Sequence, residues 1–152
     1  MIVRLWDTAT GQSIGHPLTG PTVAFSPDGS VLATASADHT VQLWDPNTGW
    51  PKGDALAGYT GMACWMVFSP DGRVLASGGT DATVRLWDPA TGRAVGIPLS
   101  GHAGAVRSVA FSPDGNLLAT ASHQTVRVWH RADAANLLAT TQTAVSPLGV
   151  IG

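Results

Sequence analysis

The chain has 152 residues, 44% hydrophobic and 12% charged, with a formal net charge of −2. This length supports one domain with its own core; charged content about half of the ~25% usual for soluble domains, beside ordinary apolar content, excludes a disordered chain. Near-neutral charge gives no electrostatic reason to bind nucleic acid or an anionic membrane, and a single Cys excludes an internal disulfide or a CxxC zinc module.

The charges are ten Asp, no Glu, seven Arg and one Lys, so the residues that usually coat exposed helices are nearly absent. Gly, Thr, Val, Trp and Pro point instead to short strands joined by turns. The opening MIVRLWDTATG has no apolar signal core behind a basic flank, and the apolar stretch from Met62 to Phe68 is too short for a bilayer. A cytoplasmic protein is the expectation.

In chain order, residues 1–20 open with VRLWD (3–7), a Thr10-Gly11 turn and a weak strand ending in Gly-x-x-Leu-x-Gly (15–20). A unit over about 21–58 follows: a strand into FSPDG (25–29), a second strand, VQLWD (41–45), a Thr48-Gly49 turn and Gly-x-x-Leu-x-Gly (53–58). The same order recurs over 59–101, with FSPDG (68–72), VRLWD (84–88) and the marker at 96–101, and over 102–141, with FSPDG (111–115) and VRVWH (126–130). The tail 142–152 is degraded, although AVSPLGVI (144–151) echoes AFSPDGSV (24–31). FSPDG recurs at 43 and 43 residues, and Trp6, Trp44, Trp87 and Trp129 lie 38, 43 and 42 apart. Four strands per ~43 residues is the unit of a β-propeller blade, whose apolar faces only neighbouring blades can bury.

These units resemble WD repeats over roughly residues 2–130, and VRLWDPATGRAVGIPLSGHAGAVRSVAFSPDGNLLATAS (84–122) is similar in wording to bacterial WD-repeat arrays. The resemblance implies an all-β fold of four-stranded antiparallel blades, a single partial propeller domain over 1–152. It also implies a hydrogen-bonded tetrad in each blade: a His before the first strand, a Ser or Thr on the second, an Asp in the next turn and the Trp on the third. By position, Trp44 goes with Thr34 and Asp38 but no His, because Gly20 to Phe25 is five residues against ten from Gly101 to Phe111. Trp87 goes with Ser77 and Asp81, with Tyr59 in the His place. Trp129 goes with His102 and Thr120, and a turn one residue short puts His123 where the Asp belongs. No unit is complete.

Catalysis finds little to work with. Only Asp54 and Asp133 lie outside repeat positions, and no phosphate-loop, nucleophile-elbow or HExxH motif occurs. The five His read as structural or turn residues without ligand-pair spacing, so no metal and no cofactor is expected. Arg4, Arg85 and Arg127, each two residues before a repeat Trp, read as structural on the Trp face.

Residues that break the repeat are the better partner-binding candidates: Tyr59, Met62, Trp65 and Arg107, with His39 and His123 in nearby turns. The function expected is a non-catalytic scaffold that presents loops to a protein or peptide. Bacterial chains of similar wording often carry signalling domains such as kinases or NTPases, so the resemblance implies a signalling role. Counting strands gives two from the opening half-unit and three units of four, with Ala134–Thr141 as the last outer strand. Such a stack falls short of a ring, so a homodimer completing a propeller and a decayed gene fragment are both in view, with a propeller enzyme less favoured.

Overall fold

A computed structural model describes residues 1–131 and the strand backbone of 139–145. No helix occurs among the described residues. The strands, in chain order, are β1 (Ile2–Trp6), β2 (Ser13–Thr19), β3 (Thr22–Phe25), β4 (Leu32–Ala35), β5 (Val41–Trp44), β6 (Ala63–Phe68), β7 (Leu75–Gly79), β8 (Val84–Asp88), β9 (Arg93–Ala94), β10 (Ser108–Phe111), β11 (Leu117–Ala121), β12 (Val126–His130) and β13 (Ala139–Val145). They form four antiparallel sheets: β1-β2, β3-β4-β5, β6-β7-β8-β9 and β10-β11-β12-β13. The sheets stack in chain order without closing into a ring, as incomplete propeller blades do.

The FSPDG turn shows why the first two strands of each blade pair in register. Ser26 Oγ donates to Asp28 Oδ1 at 2.7 Å, Val31 N–H donates to Ser26 Oγ at 2.9 Å, and Gly29 takes the left-handed φ of 72° that closes the hairpin. The same pattern recurs at Ser69–Asp71 and Ser112–Asp114. These hydrogen bonds hold the carboxyls of Asp28 and Asp71 down at about 2, the latter despite its partial burial. Asp71 also pairs with Arg131 Nη1 at 3.1 Å, tying the third sheet's turn to the end of β12.

Alternation along the strands gives each sheet two unlike faces. One carries the repeat Trp and the larger apolar residues; the other carries alanines and the Val and Leu of the Trp strand. The small face of the second sheet (Ala33, Ala35, Val41, Leu43) receives the large face of the third (Met66, Phe68, Leu75, Trp87). The small face of the third (Val74, Ala76, Val84, Leu86) likewise receives Val106, Leu118 and Trp129 of the fourth. Gly78 continues this pattern, because a Cβ there would come within 2.6 Å of Val106 Cγ1. Between the first two sheets the core is smaller: Leu5 and Leu18 against Leu32.

Two strand expectations change. The unit 21–58 has three strands, and its outer segment is reduced to isolated bridges, Trp44–Pro51 and Val41–Leu56, because Pro51 has no N–H for the ladder. The last outer strand is Ala139–Val145 rather than 134–141, pairing Val126 with Val145 and His130 with Ala139. The remainder of the tail echo, 146–151, lies outside the described residues.

Candidate functional site: blade locks and the variable rim

Antiparallel alternation places the FSPDG and Thr-Gly turns at one end of the blades. The β4–β5, β7–β8 and β11–β12 turns, and the segments leading into β6 and β10, lie at the other. On that second rim the sequence departs from its repeat, and there the tetrads sit.

In the second sheet Trp44 Nε1 donates to Thr34 Oγ1 at 2.9 Å. Asp38 takes no part: its exposed carboxylate accepts from the Thr40 N–H and hydroxyl, which lowers its pKa. With the segment before β3 five residues short, nothing stands behind Thr34 to bring the acid in.

In the third sheet Tyr59 occupies the His place. Its hydroxyl meets Ser77 Oγ, and Trp87 Nε1 divides its proton between Tyr59 OH at 3.1 Å and Ser77 Oγ at 3.0 Å. Burial pushes the Tyr59 phenol up to about 12, so it stays protonated. The Arg85 guanidinium lies 5.1 Å from the Tyr59 ring centroid. Asp81 bonds to Thr60 and Thr83 rather than to the phenol. Tyr59 is therefore corrected as a partner-binding candidate, because both its ring and its hydroxyl are used inside the blade.

In the fourth sheet Trp129 Nε1 donates to Thr120 Oγ1 at 2.9 Å, and His102 Nε2 meets the same oxygen at 2.7 Å. His102 Nδ1 lies 3.1 Å from Thr125 Oγ1, which is also bonded to Ser122. Thr125 thus fills the place expected for an Asp, and His123 is exposed in the turn beside it. The signal was present: a Thr precedes each of Val41, Val84 and Val126, and in the other two units Asp38 and Asp81 bond to it. A hydroxyl can do structurally what a carboxylate does, but it offers an imidazolium no countercharge.

Burial, and then the nearby Arg127, lower the His102 pKa below its ordinary 6.5. An unfolded chain therefore binds the proton first, and stability is lost as pH falls below 6.5 toward the folded value. The Asp carboxyls, lowered from 3.8, act only at more acid pH. Melting temperature should fall between pH 7 and pH 5 in the natural chain and much less in His102→Gln. Equal slopes would show that His102 does not carry this dependence.

Two of the arginines before the repeat Trp are held within the chain, and Arg4 is exposed. Arg127 Nη2 donates to Gly101 O, and Arg85 covers Tyr59. The first unit shows what an incomplete blade costs: Trp6 is 57% exposed, whereas Trp87 is 3% and Trp129 2% exposed. Among the described residues β1 pairs with β2 alone, which offers Trp6 no hydroxyl.

Of the remaining candidates, Trp65 is 49% exposed near the start of β6, and Met62 is half-buried just before it, its N–H on Thr80 Oγ1. Arg107 is exposed ahead of β10, and β10 and β3 are the strands that flank β6. His39, at a φ of 69°, and His123 are exposed in the second-to-third-strand turns of the second and fourth sheets. All five belong to the variable rim. Trp50, also exposed, belongs to the opposite rim and was not singled out from the sequence.

At the periphery an open cleft between the second and third sheets is lined by Lys52, Asp54, Pro89 and Thr91. Among the described residues no group of three His, Cys, Asp or Glu is placed to hold a metal ion.

Comparison with known proteins settles the family. The model of the WD domain, G-beta repeat, matches residues 11–45, 55–88 and 93–130, well over half of the chain. The chain belongs to the WD40 repeat family. It is also similar to Protein Mut11 of Chlamydomonas reinhardtii, 60% identical over 35 residues. That stretch is 23% of this chain and 10% of Mut11, so the chain matches only a small part of that relative. In the WD40 chain the three matched segments each end at or next to a Trp-Asp position, on Asp45, Asp88 and His130.

Proposed function

We propose that this WD40 chain is a non-catalytic scaffold whose variable rim, centred on Trp65, binds a protein or peptide partner. WD40 repeats generally act in protein–protein interaction, and the polar chemistry found here is spent inside the blades. The observation that carries the reading is the division between rims: one is closed by three copies of one turn, and the other differs in every unit. Trp65 stands where the other units have Thr22 and Ser108. A half-exposed indole on the same rim as the exposed Arg107 is the kind of side chain that anchors a peptide. Similarity of 84–122 to bacterial arrays supports a place in cytoplasmic signalling, next to an effector domain.

Selection of displayed peptides on the immobilised chain tests this. Enriched peptides should bind Trp65→Ser at least tenfold more weakly and Trp50→Ser unchanged, both variants melting as the natural chain does. Peptides that fail to distinguish the two variants would remove Trp65 from the site.

A further inference from the structure

The outer segments of the first three sheets bulge at the same place, residues 14–18 against 3–5, 51–56 against 41–44, and 94–99 against 84–87. Between the first and second sheets this bulge closes on the next blade. A Cβ on Gly15 would stand 3.0 Å from the backbone of Gly49 in the Thr-Gly turn. Between the second and third sheets the equivalent residues, Gly53 and Gly92, do not meet. Nothing lies within 4 Å of a Cβ on Gly53, and the cleft between the two segments measures about 510 Å³. This junction is interior to the stack, so the opening comes from the residues that line it.

The Asp45 N–H donates to Trp50 O and the Lys52 N–H to Leu43 O, so residues 50–52 run extended along β5. Trp50 therefore shares the face on which Lys52 lines the cleft. Its indole is 66% exposed and belongs to none of the apolar clusters. Lys52 and Asp54 lie on one wall and Thr91 on the other. Among the described residues nothing pairs with the Lys52 ammonium, the Asp54 carboxylate or the Thr91 hydroxyl.

We propose that this cleft binds an uncharged sugar, with a pyranose ring on Trp50 and its hydroxyls on Lys52, Asp54 and Thr91. A sugar hydroxyl both donates and accepts, and the cleft supplies an ammonium that donates, a carboxylate that accepts and a hydroxyl that does either. An anion or a cation would be drawn by one of Lys52 and Asp54 and repelled by the other. The C–H face of a pyranose packs on an indole, whose N–H stays at the wet edge. An amino acid would match the two charges but leave the indole unused. The volume lies within the range of small-molecule sites. Trp50 and Trp65 stand on opposite rims, so the sugar site is independent of the peptide site proposed above.

The test is isothermal titration calorimetry of the full chain with maltose, cellobiose, lactose and diacetylchitobiose, and with glycine and inorganic phosphate as charged ligands. At least one disaccharide should bind at a single site, more tightly than glycine or phosphate. Trp50→Ser and Asp54→Ala should each weaken it roughly tenfold or more. Ala90→Tyr fills the cleft without removing a polar group and should abolish binding. Ile97→Ser, at the matching place in the third sheet's bulge, should leave it unchanged. All four side chains are exposed, so circular dichroism should remain natural. A chain that binds none of the four disaccharides would overturn the proposal. So would a sugar that binds Ala90→Tyr as well as the natural chain, or glycine or phosphate binding more tightly than every sugar.

Discussion

Trp87→Ala should be the most damaging single substitution in the chain, lowering stability by about 3–5 kcal/mol. The indole is 3% exposed and lies in the junction between the second and third sheets, among Leu43, Phe68 and Leu75. Its removal leaves a cavity and also takes away the donor shared by Tyr59 and Ser77, whose oxygens stay buried. Trp6→Ala is the matched control. Trp6 holds the same repeat position but lacks its blade partners, so its loss should cost less than about 0.5–1 kcal/mol. Urea unfolding followed by far-UV circular dichroism separates the two. Equal losses would mean that the repeat Trp stabilises through its own strand and not through the junction.

The second large effect belongs to Gly20, the last residue of the first Gly-x-x-Leu-x-Gly marker. Its φ is 145°, and a Cβ there would stand 2.1 Å from the backbone oxygen of Ala35. Two costs combine in Gly20→Ala: a conformation that L-residues avoid, and a collision with a strand that is buried on both faces. The expected loss is more than about 2 kcal/mol. At Gly29 φ is 72° and nothing lies within 4 Å of the added atom, so Gly29→Ala should cost only the ~1–2 kcal/mol of the left-handed conformation. If the two variants were equally stable, the approach of Gly20 to β4 would not matter to the fold.

Strand order, hairpin register and sheet pairing were legible in the sequence because the FSPDG turn and the Trp strand repeat with nearly fixed spacing. The outer strands were less so. Their residues are small, polar or Pro, and their pairing depends on which carbonyl a neighbour leaves free, as at Pro51 and at β13. In the tetrads the Trp, the Ser or Thr, Tyr59 and His102 stand where spacing put them. The acids do not, because a carboxylate two residues before a Thr hydroxyl bonds to that Thr first, as Asp38 does with Thr40. Thr125 was missed because the Thr that recurs before each Trp strand gives its position but not its role, which follows from the gap beside His102. Tyr59 was placed both in the tetrad and among the partner-binding candidates, and its burial leaves the tetrad place alone. Exposure at Trp6, Phe25 and Val126 depends on packing between sheets, which repeat spacing does not express.

Native-state hydrogen exchange, read strand by strand, tests most directly that this chain is a folded stack rather than a decayed remnant. Sheets covered on both faces should open only with the whole stack, and an end sheet should open by itself. The account predicts the slowest exchange in β7 and β8, which lie between the second and fourth sheets. Exchange should be faster in β11 and fastest in β1 and β2, which have one small junction. Uniformly fast exchange, with β7 no slower than β1, would contradict it and leave the repeats as sequence without a packed structure.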